Sequence, residues 1–342
     1  MAPRAAVLGT GLIGSSAAIA LGAAGWDVTG WDPDPGALAH AVAMGACRPA
    51  AGRPEALAGA ELVVLAGPVG AVIDTLREIE TPALVTDVAG VKQVVVDAAG
   101  RLGRFVGGHP MAGRETAGPS GASGSMFRGA TWVLTTDGVD DADLSAMSDV
   151  VRSVGASPVV MSAARHDAAV ALASHVPHVT AAVLVEALAG DEEAFGLAAG
   201  GFRDLTRVAL SDPGWWVDVL VANRVDVADS LRRVAASLDG MAALVDREDR
   251  DGLTRRLARS QRLRAGMAAP VQTVGVLLED HPGEIARVGH ALAASGVDLR
   301  DLQLRHAVHG GGGVLTLSVR AGETGRLVAA LAEEGFRTVP ST

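Results

Sequence analysis

With a single cysteine, Cys47, the chain cannot form an internal disulfide. That fits a reducing, cytoplasmic setting, and Cys47 itself is expected to be a small packing residue. Tyrosine is missing and aromatic residues amount to 3% of the sequence, which leaves little for stacking on nucleic-acid bases. Positive charge is also short. With 29 Lys+Arg against 39 Asp+Glu and a formal net charge of -10, phosphate backbones are poor partners and no nucleic acid is expected. The basic run from Arg255 to Arg264 is the exception, and its simplest reading is a solvated helix face. No secretion signal is expected from the residues ahead of the first apolar segment. Although 49% of residues are hydrophobic, Gly, Asp and Arg are expected to break every apolar stretch before the ~18 residues of a bilayer span, so no membrane association is predicted. Lysine is nearly absent too: Lys92 stands alone among arginines, which marks that position for attention.

What is present is length and pattern. A chain of 342 residues has room for two or three domains. Short Val/Leu/Ala segments at 5–8, 27–31, 61–65 and 83–86 alternate with amphipathic ones, which predicts an α/β domain with a parallel, doubly wound Rossmann-type sheet. Segments 105–107 and 131–135 are expected to extend that sheet, and 157–161 to close the domain, giving residues 1–161. From 162 to 266 alanine-rich stretches of helical period predict an all-helical domain, apolar enough to expect a homodimer. After a linker at 266–270, residues 271–342 follow the order βαββαβ of a ferredoxin-like unit.

Gly9-Thr10-Gly11-Leu12-Ile13-Gly14 follows the first predicted strand and opens a helix. Glycines there permit a tight turn and close backbone approach to a diphosphate, which the free amides of the helix N-terminus stabilise. The second strand runs into Asp32, 18 residues beyond Gly14, where a carboxylate can accept both ribose hydroxyls. Asp34 follows with no arginine beside it, so NAD is expected rather than NADP. Asp32 also suits the start of the turn Asp32-Pro33-Asp34-Pro35. Gly67 and Pro68, and Val88 in the next strand-end loop, sit where carboxyl ends of strands meet a cofactor, although ordinary turn chemistry explains them nearly as well.

A histidine, His109, follows a strand on a predicted loop in Gly108-His109-Pro110-Met111-Ala112-Gly113. Together with Ser174-His175-Val176-Pro177-His178 and Gly201-Phe202-Arg203-Asp204-Leu205-Thr206-Arg207, over roughly residues 4 to 265, this segment resembles the prephenate and arogenate dehydrogenases. The resemblance implies NAD-dependent oxidative decarboxylation of prephenate to 4-hydroxyphenylpyruvate, or of arogenate to tyrosine. It also implies roles: His109 as the base for the C4 hydroxyl, Arg207 as anchor for a substrate carboxylate with Arg203 assisting, and Ser174 and His178 lining the pocket. Glu115 and Trp216 match further pocket positions. A neutral imidazole titrates near working pH, and a guanidinium offers a carboxylate two parallel donors. His175 and His178 have metal-ligand spacing, but Pro177 lies between them and no third ligand is evident, so no metal is expected.

One position departs from the family pattern. Gly90 stands in Asp87-Val88-Ala89-Gly90-Val91-Lys92 where the family usually has a serine that contacts the substrate hydroxyl. Either water or a neighbouring group replaces it, or activity is reduced, or the substrate differs at C4, as in 4-amino-4-deoxyprephenate. A non-catalytic, NAD- and amino-acid-responsive regulator is a further alternative. A β-hydroxyacid dehydrogenase is disfavoured, since it would use a lysine in the helical domain and none is there. In the C-terminal unit, Glu279-Asp280-His281-Pro282-Gly283-Glu284-Ile285 looks like the ligand loop of ACT domains, with Asp280, Pro282 and Gly283 as candidate contacts for an amino-acid effector.

Overall fold

The computed structural model describes residues 2–112, 118–267, 271–279, 281–306, 312–320 and 322–340. They form two compact units, Met1–Ser237 and Leu238–Thr342, divided within the helix Arg224–Asp246.

The first unit is built on six parallel strands, β1 (Arg4–Leu8), β2 (Asp27–Trp31), β3 (Arg48–Pro49), β4 (Leu62–Leu65), β5 (Leu84–Asp87) and β6 (Phe105–Val106). Their spatial order is β3-β2-β1-β4-β5-β6, the doubly wound order whose reversal between β1 and β4 opens a ligand crevice. All four residues of β4 and of β5 are buried, because helices cover both faces. Alternation along β1 divides the core, with Ala5 and Val7 in one apolar cluster and Ala6 and Leu8 in the other.

Two predicted strands do not join this sheet. β7 (Gly108–Pro110), β8 (Thr131–Thr135) and β9 (Ser157–Met161) form a separate three-stranded sheet in that order, β7 antiparallel and β9 parallel to β8. The cause is local. β6 pairs with β5 only through Phe105 and Val106, and Gly107 then turns to Thr135, donating its N–H to Oγ1 (3.1 Å) and accepting from its amide (2.9 Å). His109 consequently lies on a strand, not on the expected loop.

The helical part begins with Ala163–Val170, a π-helical turn Ala171–His175, and Val176–Glu186. This corrects the expectation about long apolar runs, since Ala163–Glu186 spans 24 residues and its most apolar 18-residue window has mean hydropathy 1.7, enough by length and composition for a bilayer. Its buried polar residues, His166, Asp167, His175 and His178, face protein. Further along, the large apolar side chains of Phe195 (67% exposed), Leu197 (82%) and Leu210 (86%) stand in solvent.

In the second unit, the helix Arg250–Met267 precedes β10 (Val271–Leu278), a helix Glu284–Ser295, β11 (Leu299–His306), β12 (Gly313–Arg320), a helix Thr324–Glu333 and β13 (Arg337–Pro340). These four strands make an antiparallel sheet ordered β11-β12-β10-β13, over a core that includes Val276, Val288, Leu317 and Leu331.

Candidate active site

The crevice at the carboxyl ends of β1 and β4 contains a cavity of about 560 Å³. Its wall includes Gly9, Gly11, Asp32, Gly67 and Pro68. Gly9 has a left-handed backbone (φ 102°), and a Cβ there would lie 2.5 Å from the Ala66 carbonyl oxygen. A Cβ on Gly14 would lie 1.9 Å from the Gly9 oxygen. The two glycines therefore let the first turn of the helix Leu12–Ala23 close onto β1 and β4, leaving a backbone cradle of the kind a diphosphate needs. Thr10, Leu12, Ile13 and Gly14 build this turn and helix without lining the cavity, and Val88 lies outside its wall. Asp32 is held in place by donors from Thr10, N–H at 2.5 Å and Oγ1 at 3.1 Å, and by the Asp34 amide at 2.9 Å. Arg53 and His40 also line the cavity and were not anticipated. The Arg53 guanidinium is engaged, 2.9 Å from Glu78 and 5.0 Å from the Trp31 ring centroid, so a cation does stand near Asp32 and Asp34 but with its own partners.

His109 is the end of a chain of side chains. Its Nδ1 lies 2.8 Å from Nε2 of His166, whose Nδ1 lies 2.7 Å from Oδ1 of Asp167. Asp167 also accepts from the backbone amides of Lys92 (2.7 Å) and Gln93 (2.8 Å). A carboxylate so placed can only accept, which puts a proton on His166 Nδ1; in the neutral ring that leaves Nε2 bare. His166 Nε2 must then accept from His109 Nδ1–H, and the lone pair of His109 is left on Nε2. That nitrogen faces the space over Gly90: a Cβ built on Gly90 would sit 3.9 Å from it and 4.0 Å from Trp215. Burial, then the neighbouring His166, Lys92 and His175, hold the His109 pKa well below the usual histidine value, so the ring stays neutral.

Around it, His178 stacks on Trp216 (3.7 Å, 11°), and His175 meets the same indole edge-on. Nδ1 of His178 is buried with no hydrogen-bond partner among the described residues. His175 is buried 3.3 Å from the Asn223 amide, and desolvation lowers its pKa to about 4. Asn223 also donates to the Asp167 carbonyl at 2.9 Å. Ser174 is half-buried in the π turn. Arg203 and Arg207 are exposed, on the helix Gly200–Thr206 and the 3-10 turn Arg207–Leu210, both packed on the helix that carries His178. Glu115 lies outside the described residues, as does Asp280.

Sequence reasoning missed His166, Asp167 and Asn223. The adjacent His-Asp pair in an otherwise alanine-rich helix was the available signal, since charge is expensive in such a segment. In the second unit, Gly283 (φ 97°) opens the helix Glu284–Ser295 beside a cavity of about 360 Å³ lined by Leu278, His281, Gly283, Ile285, Leu304 and Gly312 among others. Pro282 is next to this cavity in sequence but not in its wall.

Residues 17–160 match the family model described as prephenate dehydrogenase, nucleotide-binding domain, and residues 162–259 match prephenate dehydrogenase, dimerization domain. The chain is 32% identical to the probable prephenate dehydrogenase NovF of Streptomyces niveus, over 92% of this chain and 93% of that protein. The crystal structure of prephenate dehydrogenase from A. aeolicus in complex with hydroxyphenyl propionate and NAD+ aligns with TM-score 0.73 and 29% identity, covering 78% of this chain and 99% of that one. Synechocystis arogenate dehydrogenase aligns with TM-score 0.69 and 29% identity, covering 78% and 100%.

Proposed function

This chain belongs to the prephenate dehydrogenase family, and on that footing we propose that it oxidatively decarboxylates prephenate or arogenate with NAD. The observation that carries the reading is the place of His109 at the end of the Asp167–His166 chain, with Nε2 3.9 Å from where a Cβ on Gly90 would lie. The glycine cradle and Asp32 fit a dinucleotide, and bound NAD supplies the hydride acceptor.

The protein's part is proton handling and orientation. His109 accepts the C4 hydroxyl proton as hydride leaves C4; the ring carboxylate then departs as carbon dioxide, its bonding electrons complete the aromatic ring, and the C4 oxygen takes the proton back from His109. Prephenate and NAD+ thus give 4-hydroxyphenylpyruvate, carbon dioxide and NADH; arogenate gives tyrosine in the same balance. As His109 gains charge, its Nδ1–H bond to His166 strengthens, and Asp167 stabilises the growing charge through His166. His178, Ser174, Trp216, Glu115, Arg203 and Arg207 are assigned to substrate, with Arg207 on a carboxylate. Without a side chain, Gly90 leaves His109 as the polar group facing C4 there, which equally admits a C4 amino group.

Absorbance at 340 nm with prephenate, arogenate and 4-amino-4-deoxyprephenate tests this. NADH should form with at least one of them, and formation with none would favour a non-catalytic regulator. The pH profile should follow from the histidine. A base with a lowered pKa stays unprotonated to lower pH, so the acid limb of kcat/KM is expected below pH 6.5, the ordinary histidine value. A limb at or above 6.5 would contradict that assignment.

The domain division we infer is a nucleotide-binding part at 1–161, a helical part at 162–266 and an ACT-like regulatory part at 271–342. The antiparallel order β11-β12-β10-β13 is that of a ferredoxin-like βαββαβ unit, which supports the last of these. The exposed Phe195, Leu197 and Leu210 support a homodimer formed through the helical part. An amino-acid effector at Gly283 is supported by the cavity there. Titration calorimetry with phenylalanine, tyrosine and tryptophan should give saturable heat for at least one; no heat with any would leave the unit a packing module.

A further inference from the structure

The lone lysine is wholly buried, and so is its partner Asp87, each with 0% of its side chain exposed. Taking both charges out of water is expensive, and a buried pair is poor evidence for stability alone. What the pair touches is informative. β7 turns one edge to β8, through Gly107 and His109, so the amide and carbonyl of Gly108 point the other way, toward the end of β5. There the Gly108 N–H donates to Asp87 Oδ1 at 3.0 Å, and the Gly108 carbonyl accepts from Lys92 Nζ at 2.7 Å, while Lys92 Nζ also bonds Asp87 Oδ2. Gly108 admits no side chain, because a Cβ would lie 2.5 Å from the Asp87 carbonyl oxygen and 2.9 Å from Trp132 Nε1.

We infer that the Lys92–Asp87 pair is a positioning clamp for His109: it stands in for a missing strand neighbour, gripping both backbone groups of the preceding residue. The lysine also ties in the other end of the proton chain, because its own amide donates to Asp167. One residue therefore sets the place of the base and of the carboxylate behind it. Among the described residues, the charged and titratable groups near His109 are Lys92 and Asp87 from the β5 side, and His166, Asp167 and His175 from the long helix. Among them Lys92 opposes protonation of His109 by its positive charge.

The inference rests on His109 being the base, so the test separates the two. In the full-length protein, Lys92→Met is expected to lower kcat about a hundredfold, the scale of a displacement near 1 Å, with the KM for NAD unchanged. The acid limb should move to higher pH, since a cation beside the base is gone. Should Lys92→Met leave Asp87 unpaired and the protein unfolded, Asp87→Asn/Lys92→Met carries the test with no buried charge. It should fold, stay slow and show the same upward limb. Wild-type kcat and pH profile in the folded double variant would overturn the clamp and leave the pair a structural feature. Retained turnover in His109→Asn, measured alongside, would instead overturn the assignment of the base.

Discussion

Replacing His109 with asparagine is expected to lower kcat by about 10²–10⁴-fold, the usual contribution of a positioned general base, and to leave NAD binding intact. The separation follows from where the side chain sits. His109 is outside the wall of the dinucleotide cavity, so nothing that holds Asp32 or the glycine turn is disturbed. Asparagine can still offer a donor to His166 Nε2 but has no basic nitrogen for a C4 hydroxyl. Steady-state kcat by NADH absorbance, with tryptophan fluorescence titration for NAD, reads both parts. Turnover within tenfold of the parent would remove His109 from the chemistry. The residual activity should also lose the acid limb, because the group whose protonation defines it is gone.

Gly14→Ala should act on the other substrate. Its methyl would sit 1.9 Å from the Gly9 carbonyl oxygen and 3.0 Å from the Ala66 side chain. Gly9 has no room to retreat, since its own Cβ position is 2.5 Å from the Ala66 oxygen. The turn and helix must therefore separate. Overpacking of this kind costs about 1–3 kcal/mol, which corresponds to a roughly five- to 150-fold weaker hold on NAD if the cradle bears the strain. Calorimetric titration with NAD measures it, and circular dichroism checks that the sheet persists. An unchanged dissociation constant would mean that the diphosphate is not bound at this turn.

The two effects differ in how visible their causes were in the sequence. The glycine turn, β2 and Asp32 lie close together along the chain, and their chemistry depends on local backbone form. β2, β8 and β9 run over the residues predicted for them, because short apolar segments bounded by turns leave few alternatives. β3 was not foreseen: Arg48–Pro49 is two exposed residues at a sheet edge, with no alternation to detect. The partners of β8 and β9 were misassigned for a different reason. Pattern marks a strand but not its neighbour, and the neighbour was decided by Gly107 turning to Thr135. The long apolar helix escaped notice because its histidines and Asp167 resemble interruptions, whereas in the folded chain they are buried against protein.

By itself, then, the amino-acid order determined the parallel α/β unit, the dinucleotide turn, the helical stretch, the βαββαβ order and the histidine and arginine segments, since each rests on residues near one another in the chain. Tertiary structure alone decided what those groups do to each other. Lys92, conspicuous only for its rarity, became a grip on Gly108, and His166 and Asp167 became the support of His109, from 57 and 58 positions away. Proton position and pKa depend on distances of a few ångströms and on burial, and neither is a property of a residue until the chain has folded around it.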